Sequence, residues 1–515
     1  MAKASSSGMT VGTSSVAETK GEREVSDKSQ IDEAYSLLDA LVAPERVVQL
    51  AILGVTLHIA FTELYDLNSE YRLVFRNGAI VAISILMGAY SRYRSSGWNP
   101  LVLPKFETVY LMYLPFMTLL LFDRSHATIN CSLILNCVEM PLMFKLPMQG
   151  IFVLLSESKA ELNDKLAQLG AIIINYLAYT LLAKASHLKS LDTVDCNLFS
   201  ILLTNVLYIH DSESVYFQVL KETLSAFLII VGVNYVADIL LGSIMNAYLK
   251  SAVIFSSFAV GFPTLVRHLL KIDGQDPLEW LIDYIMTSDT RQNLLIIWLT
   301  SLLVLIPNVL ILKSNITLNS SRKVWHFLIL LLITKPFQMD PNFVKISLAG
   351  SIVLFLSVEY LRYIKLEPVG GYIDSKLRLF ADFRDEKGPI IISYIYLIVG
   401  IATPLLINDS PVGLISLGVG DSLASIIGGK WGKKFWAGTN KTMEGTIAFI
   451  GSTTVTAIIF KQYLGYFQDI SYSNLSVVCT LTGLLEGNSI MNDNIMIPAF
   501  MLIAEQLFTN RLITT

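Results

Sequence analysis

Carboxylates placed inside apolar segments are the residues of this chain best suited to chemistry. Asp421 lies in an apolar run that opens into a Gly- and Lys-rich loop, and residues 417 to 445 read LGVGDSLASIIGGKWGKKFWAGTNKTMEG. A charge at membrane depth is costly, so such residues usually pair, bind an ion or line a pathway. The stretch predicts chemistry at a bilayer surface, where a carboxylate stands beside backbone suited to phosphate.

The loop after Asp421 has the composition that an oligophosphate needs. Glycines let backbone N–H groups approach phosphate oxygens, and lysines supply point charges. The candidate phosphate contacts are Gly428, Gly432, Lys433, Lys434, Lys441, Thr442, Glu444 and Gly445. Two alternatives stay open. The glycines follow Asp421 at helical spacing and can form a small-residue packing face, and the lysines can reflect membrane topology alone.

A second acidic cluster lies in the segment LLEGNSIMNDN. Glu486 and Asp493 are seven residues apart and would share a helix face if the helix continued between them. Carboxylate and amide oxygens suit Mg²⁺. The predicted metal ligands are Asp421, Glu444, Glu486, Asp493 and Asn494. The alternative is a polar helix end at the membrane interface.

Two further segments are weaker candidates. In SRKVWHF, Arg322 and His326 stand where a span meets water and can contact phosphate. The alternative for His326 is a place in the interfacial belt beside Trp325, which fits equally well. In FADFRDEKGP, Asp385 can help to clamp a nucleotide or metal. A solvated charged loop is the alternative there.

Composition places these residues in a membrane protein. Of 515 residues, 53% are hydrophobic and 16% charged, and the mean hydropathy is +0.56. Long apolar runs such as 293 to 312 favour helices over a barrel, whose strands alternate over about ten residues. We therefore predict an all-α, polytopic integral membrane helical bundle with about 13–16 transmembrane helices. No nucleic-acid partner is expected.

The chain divides into three predicted regions. Residues 1 to 45 form a polar tail that is expected to be disordered. Residues 46 to 290 form an N-terminal transmembrane region, and 291 to 515 form a C-terminal transmembrane catalytic region with the nucleotide-binding loop at 421 to 445. Segment 273 to 290 is either an amphipathic interfacial segment or an ordinary loop.

Loop charge orients the C-terminal region. Lysines and arginines concentrate in the loop that ends at 323 and in the loops 362 to 388 and 430 to 443, whereas 339 to 342, 408 to 411 and 465 to 473 have none. By the positive-inside rule the basic loops are cytosolic. The parity of the spans brings Asp493 to the same side, so the polar residues are expected to converge on one cytosolic face.

The motifs resemble those of a known family. DSLASIIGGKWG followed by NKTMEG resembles the CTP-binding signature of the polyprenol kinases. Further segments are similar to those of fungal dolichol kinases of the endoplasmic reticulum: RKVWHF, FADFRDEKGPIIISYIYL, LEGNSIMNDNIMIPAF and SLDTVDCNLFSILLTN. The resemblance is dense from about residue 187 to the end.

This resemblance implies a reaction and a location. The γ-phosphoryl group of CTP would pass to the terminal hydroxyl of dolichol, giving dolichyl phosphate, the lipid carrier for N-glycosylation, O-mannosylation and GPI-anchor synthesis. The enzyme would span the endoplasmic reticulum membrane many times, with its active site facing the cytosol. Its implied partners are CTP, Mg²⁺ or another divalent cation, dolichol and membrane lipids. A homo-oligomer is left open.

Within such a site the residues can be given roles. Lys441 and the glycine-rich backbone would hold the β- and γ-phosphates, while Glu444, Glu486 and Asp493 organise the metal. Asp421 lies deepest, and its burial would make it a stronger base toward the dolichol proton. The reverse assignment, in which Asp421 binds the metal and Asp493 is the base, is equally compatible with the sequence.

Three other functions use similar residues. Another CTP-dependent lipid-alcohol kinase would differ only in its acceptor. A lipid-phosphate cytidylyltransferase would need a similar acidic, metal-dependent site. A membrane transporter would also place acids in its spans, but it would be expected to carry broken helices in matched repeats. Because the acids lie near one surface, a transport pathway is the least favoured.

Overall fold

The computed structural model describes Gly54 and residues 127–509, apart from short gaps. These gaps lie at 137–140, 156–161, 187–190, 192, 243, 313–317, 369, 379–389, 437–438 and 490–492. The predicted polar tail, residues 1 to 45, lies outside the described residues, and so does the part of the predicted N-terminal transmembrane region before residue 127, apart from Gly54. The described part is helical, and its β-pairing is limited to the isolated bridges Ile272 to Gln275 and Phe435 to Thr442. The all-α prediction is confirmed.

In the described residues from 127 onward, eight helices precede the C-terminal region. They are α1 (Ala127–Ile134), α2 (Leu142–Leu155), α3 (Leu162–Ser186), α4 (Thr193–Thr204), α5 (Val215–Leu241), α6 (Ala247–Ser256), α7 (Phe262–Leu269) and α8 (Pro277–Met286). A π-helical turn, Ser257–Gly261, joins α6 to α7. In the segment 273 to 290, Asp276 caps α8 by accepting hydrogen bonds from backbone N–H groups. Trp280 and Tyr284 stack on this helix, so the segment is helical.

Nine helices are described in the C-terminal region. They are α9 (Asp289–Leu312), α10 (Leu318–Met339), α11 (Pro341–Tyr363), α12 (Gly370–Leu377), α13 (Ser393–Asn408), α14 (Ser422–Trp431), α15 (Met443–Leu464), α16 (Tyr472–Asn488) and α17 (Asp493–Phe508). A π-helical segment, Leu414–Asp421, leads directly into α14.

Five helical stretches of the described part are long and apolar enough to cross a membrane. They are Asn163–Lys184, Val215–Leu241, Ala247–Leu269, Pro341–Tyr363 and Met443–Leu464. Shorter apolar helices accompany them. These stretches confirm a polytopic membrane protein, and the total number of spans stays a prediction because the first ones lie outside the described residues.

One apolar core joins helices from the two predicted transmembrane regions. It includes Leu133, Phe152 and Cys196 from the N-terminal helices together with Tyr396 and Met501 from α13 and α17. Every residue of α17 from Asn494 to Ala504 is buried. Because α17 is surrounded by other helices, its first residue, Asp493, is held at a fixed end of the bundle.

The π-helical segment is buried over its whole length. Two of its glycines allow close helix contacts, since a Cβ added at Gly418 would lie 3.2 Å from Leu330 Cβ of α10, and one at Gly420 would lie 2.6 Å from Thr453 Cγ2 of α15. A π-helical turn changes the direction of the side chains that follow it, and such turns are frequent at functional sites. Asp421 is the last residue of this segment.

The structure fixes two helix boundaries near the predicted site residues. Helix α11 continues to Tyr363, so Arg362 is a buried helical residue and not part of a basic loop. Helix α16 ends at Asn488 and α17 begins at Asp493. Glu486 and Asp493 therefore do not share the face of one continuous helix. They meet because the chain reverses between α16 and α17.

Candidate active site

Asp421 is held by two residues of α10. Its Oδ2 accepts a hydrogen bond from Lys323 Nζ and lies 3.2 Å from His326 Nδ1. All three residues are buried. Lys323 and His326 are three residues apart in a helix, so they share a face. His326 Nδ1 also lies 3.0 Å from the backbone oxygen of Leu417, inside the π-helical segment.

Lys441 links the other two acids. Its Nζ donates to Glu486 Oε1 at 2.6 Å, to Asp493 Oδ2 at 3.0 Å and to the backbone oxygen of Glu486 at 2.9 Å. Burial by itself would lower the pKa of the Lys441 ammonium, but attraction to Glu486 and Asp493 outweighs it, so this pKa lies above its ordinary value. Lys441 is therefore charged at neutral pH.

The three carboxylates form one group. One oxygen each from Asp421, Glu486 and Asp493 lies within 4.8 Å of the others. They come from the π-helical segment, the end of α16 and the start of α17, which the fold brings to the same end of the bundle. Mg²⁺ binds carboxylate oxygens at about 2.0–2.1 Å. Two oxygens on opposite sides of one Mg²⁺ are therefore about 4.2 Å apart at most. The three carboxylates lie close enough for small side-chain movements to bring them to one divalent cation, and the chemistry of the donor set suits the metal that the sequence predicts.

The glycines of the loop serve helix packing. A Cβ added at Gly428 would lie 2.7 Å from Thr442 Oγ1, and one at Gly445 would lie 3.0 Å from the backbone oxygen of Ala424. Gly432 is equally close to Thr442. These positions let α14 lie against the head of α15. Direct contact between their backbone and phosphate stays a prediction.

Thr442 and Glu444 hold the head of α15. Thr442 Oγ1 caps the helix by accepting a hydrogen bond from Gly445 N at 3.1 Å. Glu444 Oε2 accepts from the backbone N–H of Lys434 at 3.3 Å and is not one of the three grouped carboxylates. Lys433 and Lys434 are exposed. Glu444 thus braces the loop in this structure, away from the three-acid group.

The remaining predicted residues are spread around this group. His326 contacts Asp421, as described above. Asn494 is buried in α17, and its backbone oxygen lies only 1.9 Å from a Cβ built at Gly400 of α13, so it marks a tight helix contact. Asp385 and the side chain of Arg322 lie outside what the structure describes.

A second buried ionic cluster, which we call the α11 cluster, was not anticipated from the sequence. Arg362 is 1% exposed and donates to both carboxylate oxygens of Glu359, at 2.8 and 2.6 Å, and to Asp374. Glu359 also accepts from Ile391 N and Tyr394 Oη.

Asp374 completes the α11 cluster on its more exposed side. Partial burial would raise the pKa of Asp374, but hydrogen bonds from Arg362 and Arg378 outweigh it, and this pKa lies below its ordinary value. These contacts fix α12 and the start of α13 against α11. Arg378 lies 3.1 Å from Asp374 in this cluster.

Lys323 is the residue of the site that sequence reasoning undervalued. In the sequence it is one of the charges of the basic loop that ends at 323, whereas in the structure its side chain is 8% exposed and pairs with Asp421. One feature of the sequence does point to Lys323. A carboxylate buried at membrane depth needs a cationic partner, and Lys323 lies one helical turn before His326 at the same membrane face.

Comparisons with known proteins decide the family. The chain is 44% identical to a dolichol kinase of Saccharomyces cerevisiae over 447 residues, which cover 85% of this chain and 84% of that protein. The chain belongs to the dolichol kinase family. Residues 7–211 match the family model described as the dolichol kinase N-terminal domain. The resemblance drawn from the motifs is therefore confirmed.

More distant members of the dolichol kinase family match over shorter regions. The dolichol kinase sec59 of Schizosaccharomyces pombe is 34% identical over 45% of this chain and 51% of its own length. A dolichol kinase of Homo sapiens is 29% identical over 46% of this chain and 48% of its own length. No solved structure matches the chain significantly. The N-terminal family domain includes α1 to α4, which pack in the same core as α13 and α17.

Proposed function

We propose that this chain transfers the γ-phosphoryl group of CTP to the terminal hydroxyl of dolichol, at the cytosolic face of the endoplasmic reticulum membrane. The observation that carries the proposal is the meeting of Asp421, Glu486 and Asp493 within 4.8 Å, beside a lysine and at one end of an apolar helical bundle. Membership of the dolichol kinase family supports dolichol as the acceptor. The resemblance of the motifs to a CTP-binding signature supports CTP as the donor.

The location of the three-acid group suits substrates of opposite character. Dolichol is lipidic and CTP is aqueous, so they can meet only at the membrane boundary. Phosphoryl transfer depends mainly on positioning and on neutralising charge. The group stands where helix ends meet loops rich in lysine, which are cytosolic by the positive-inside rule. Both substrates can reach such a site without either crossing the bilayer.

Asp421, Glu486 and Asp493 are the residues that would hold Mg²⁺. The cation would neutralise charge on the phosphate oxygens of bound CTP. Lys441, together with the positive end of the α15 dipole, would attract the same phosphates. Thr442 and Gly445 hold that helix end in position through their capping hydrogen bond.

The contacts of Asp421 favour the metal-binding role over the base role. Lys323 and His326 both contact Asp421 Oδ2. An adjacent ammonium stabilises the ionised carboxylate and makes it a weaker proton acceptor, which opposes the effect expected from burial alone. We therefore place Asp421 beside the metal and not at the dolichol proton.

The reaction is tested with the position of the label. Purified protein in detergent is given a short-chain polyprenol, Mg²⁺ and CTP labelled at the γ-phosphorus, and the label is expected in the lipid. Lipid labelled from α-labelled CTP would instead identify a cytidylyltransferase. Equal transfer from γ-labelled ATP would remove the claim of CTP dependence.

The membrane orientation has a separate test. Asn440 is exposed and lies in the sequon Asn-Lys-Thr, within the loop proposed to face the cytosol. It should carry no glycan when the protein is made in a eukaryotic cell. A glycan at Asn440 would place the three-acid group on the lumenal side. Microscopy of a tagged chain beside an endoplasmic reticulum marker tests the organelle.

A further inference from the structure

Lys441 occupies the position that a cation shared by Glu486 and Asp493 would need. Its three ammonium protons have three acceptors, all contributed by these two residues. The Lys441 ammonium therefore already neutralises Glu486 and Asp493, the two acids that are proposed to bind a divalent cation. An ammonium and a metal ion at the same oxygens would repel each other.

The charges in the group indicate which arrangement suits a metal. With Lys441 in place, the three carboxylates of the group face two ammonium groups, those of Lys323 and Lys441. One unit of negative charge is then left for a divalent cation. If Lys441 withdraws, two units are left, which match the charge of the cation.

The two lysines differ in their freedom to move. Lys323 lies within α10, and its side chain is 8% exposed. Lys441 lies in the loop before α15, and its side chain is 26% exposed. The backbone of Lys441 is fixed, since Trp436 N donates to its oxygen at 2.9 Å and its own N–H donates to Thr439 Oγ1 at 3.2 Å. Only the flexible four-carbon stem can carry the ammonium elsewhere.

We propose that Lys441 is an exchangeable cation. It neutralises Glu486 and Asp493 while the site lacks metal, and it leaves them when a divalent cation arrives with the nucleotide. Its ammonium then contacts a phosphate oxygen beside the head of α15. This inference rests on the proposed function, and it adds that the metal and the nucleotide bind cooperatively because each favours the withdrawn position of Lys441.

The test measures Mn²⁺ binding without nucleotide, from the paramagnetic resonance signal of free Mn²⁺. Wild-type protein in nanodiscs is compared with Lys441→Met and with Lys430→Met. Lys430 lies at the exposed end of α14 and contacts the Trp431 ring. Lys430→Met therefore removes the same charge as Lys441→Met but does not change a contact with the acids. Without nucleotide, Lys441→Met should bind Mn²⁺ at least tenfold more tightly than wild type. Addition of CTP should increase the Mn²⁺ affinity of Lys441→Met by a smaller factor than that of wild type. Lys430→Met should match wild type.

Amine labelling of the wild type gives a second reading that needs no variant. The Nζ of Lys441 should react faster with an amine reagent when Mn²⁺ is added, because its acceptors are taken, and slower again when CTP is also added. Unchanged labelling on Mn²⁺ binding, or unchanged Mn²⁺ affinity in Lys441→Met, would overturn the exchange while leaving the kinase reaction intact. Full kinase activity in a chelator, with no Mn²⁺ bound even beside CTP, would instead overturn the metal site itself.

Discussion

The described part of the C-terminal helices contains two buried ionic clusters that differ in their balance of acidic and basic groups. In the α11 cluster, Glu359 and Asp374 face Arg362 and Arg378, and the bidentate Arg362 to Glu359 pair is joined by Ile391 N and Tyr394. In the three-acid group, the carboxylates outnumber the lysines that touch them. The first cluster is closed by its own partners, whereas the second has charge left for a ligand.

The difference separates a structural role from a chemical one. Buried ion pairs with matched partners fix helices in position but add little net stability, because desolvation offsets the attraction. An excess of buried negative charge is unfavourable in a protein that binds nothing there. The excess at Asp421, Glu486 and Asp493 therefore supports the proposed site, and the predictions below are designed to tell the two clusters apart.

The largest expected effect is on the three-acid group. Glu486→Gln keeps the volume of the side chain and an acceptor for Lys441 but removes one carboxylate charge. Dolichol phosphorylation should fall by about 10²–10³-fold, in line with the loss of one preorganised electrostatic contact. The rate is measured with γ-labelled CTP. Thermal unfolding of the same sample in detergent should stay near that of wild type, and activity within a few fold of wild type would contradict the assignment.

The α11 cluster should respond in the opposite way. Arg362→Met leaves Glu359 and Asp374 with a buried charge that has lost its partner, at a cost of about 3–5 kcal/mol. The unfolding transition in detergent should move to a clearly lower temperature. Lys430→Met is the matched control and should unfold like wild type. An unchanged transition in Arg362→Met would show that this cluster does not hold the helices together.

A smaller effect is expected where α14 meets α15. Gly428→Ala introduces a Cβ 2.7 Å from Thr442 Oγ1, whereas nothing lies within 4 Å of a Cβ at Gly429. Overpacking of this kind costs about 1–3 kcal/mol, and it would also shift the loop that carries Lys441. Gly428→Ala should lose both stability and activity. Gly429→Ala should lose neither, and equal behaviour of the two variants would refute the packing role.

The smallest effect is expected at the exposed lysines of the loop. Lys433→Gln combined with Lys434→Gln removes charges that touch solvent, and exposed charge pairs contribute up to about 1 kcal/mol. The KM for CTP should rise a few fold at low salt with kcat unchanged. The difference should shrink as ionic strength increases, because salt screens exposed charges. A large loss of kcat would place these lysines inside the site.

Much of the site could be predicted because its chemistry violates the apolar pattern around it. Asp421 and Glu486 are ionisable residues within apolar runs, and the order of spans and charged loops brings both to one face with Asp493. The helical class follows from the length of the apolar runs. These inferences need only composition, spacing and charge, which a single sequence carries.

The remaining features depend on contacts between distant segments. Lys323 is 98 residues from Asp421, and no local pattern states which cation pairs with a buried acid. The π-helical segment differs from an α-helix in its hydrogen-bond register. The pattern of hydrophobic residues does not distinguish the two kinds of helix, so the sequence could not predict this segment. Arg362 resembles a loop cation in the sequence because its partners, Glu359 and Asp374, lie on either side of a helix end that hydropathy does not locate.

The central claim is that Asp421, Glu486 and Asp493 join a divalent cation to CTP. Titration of CTP into purified wild type, Glu486→Gln and Glu359→Gln, each with Mg²⁺ and with a chelator, tests it most directly. In wild type, CTP binding should require Mg²⁺, and the folded fraction of the Glu359→Gln variant should behave in the same way. In Glu486→Gln, CTP binding should be lost. Equal CTP affinity with and without Mg²⁺, or Mg²⁺-dependent binding that survives in Glu486→Gln, would contradict it.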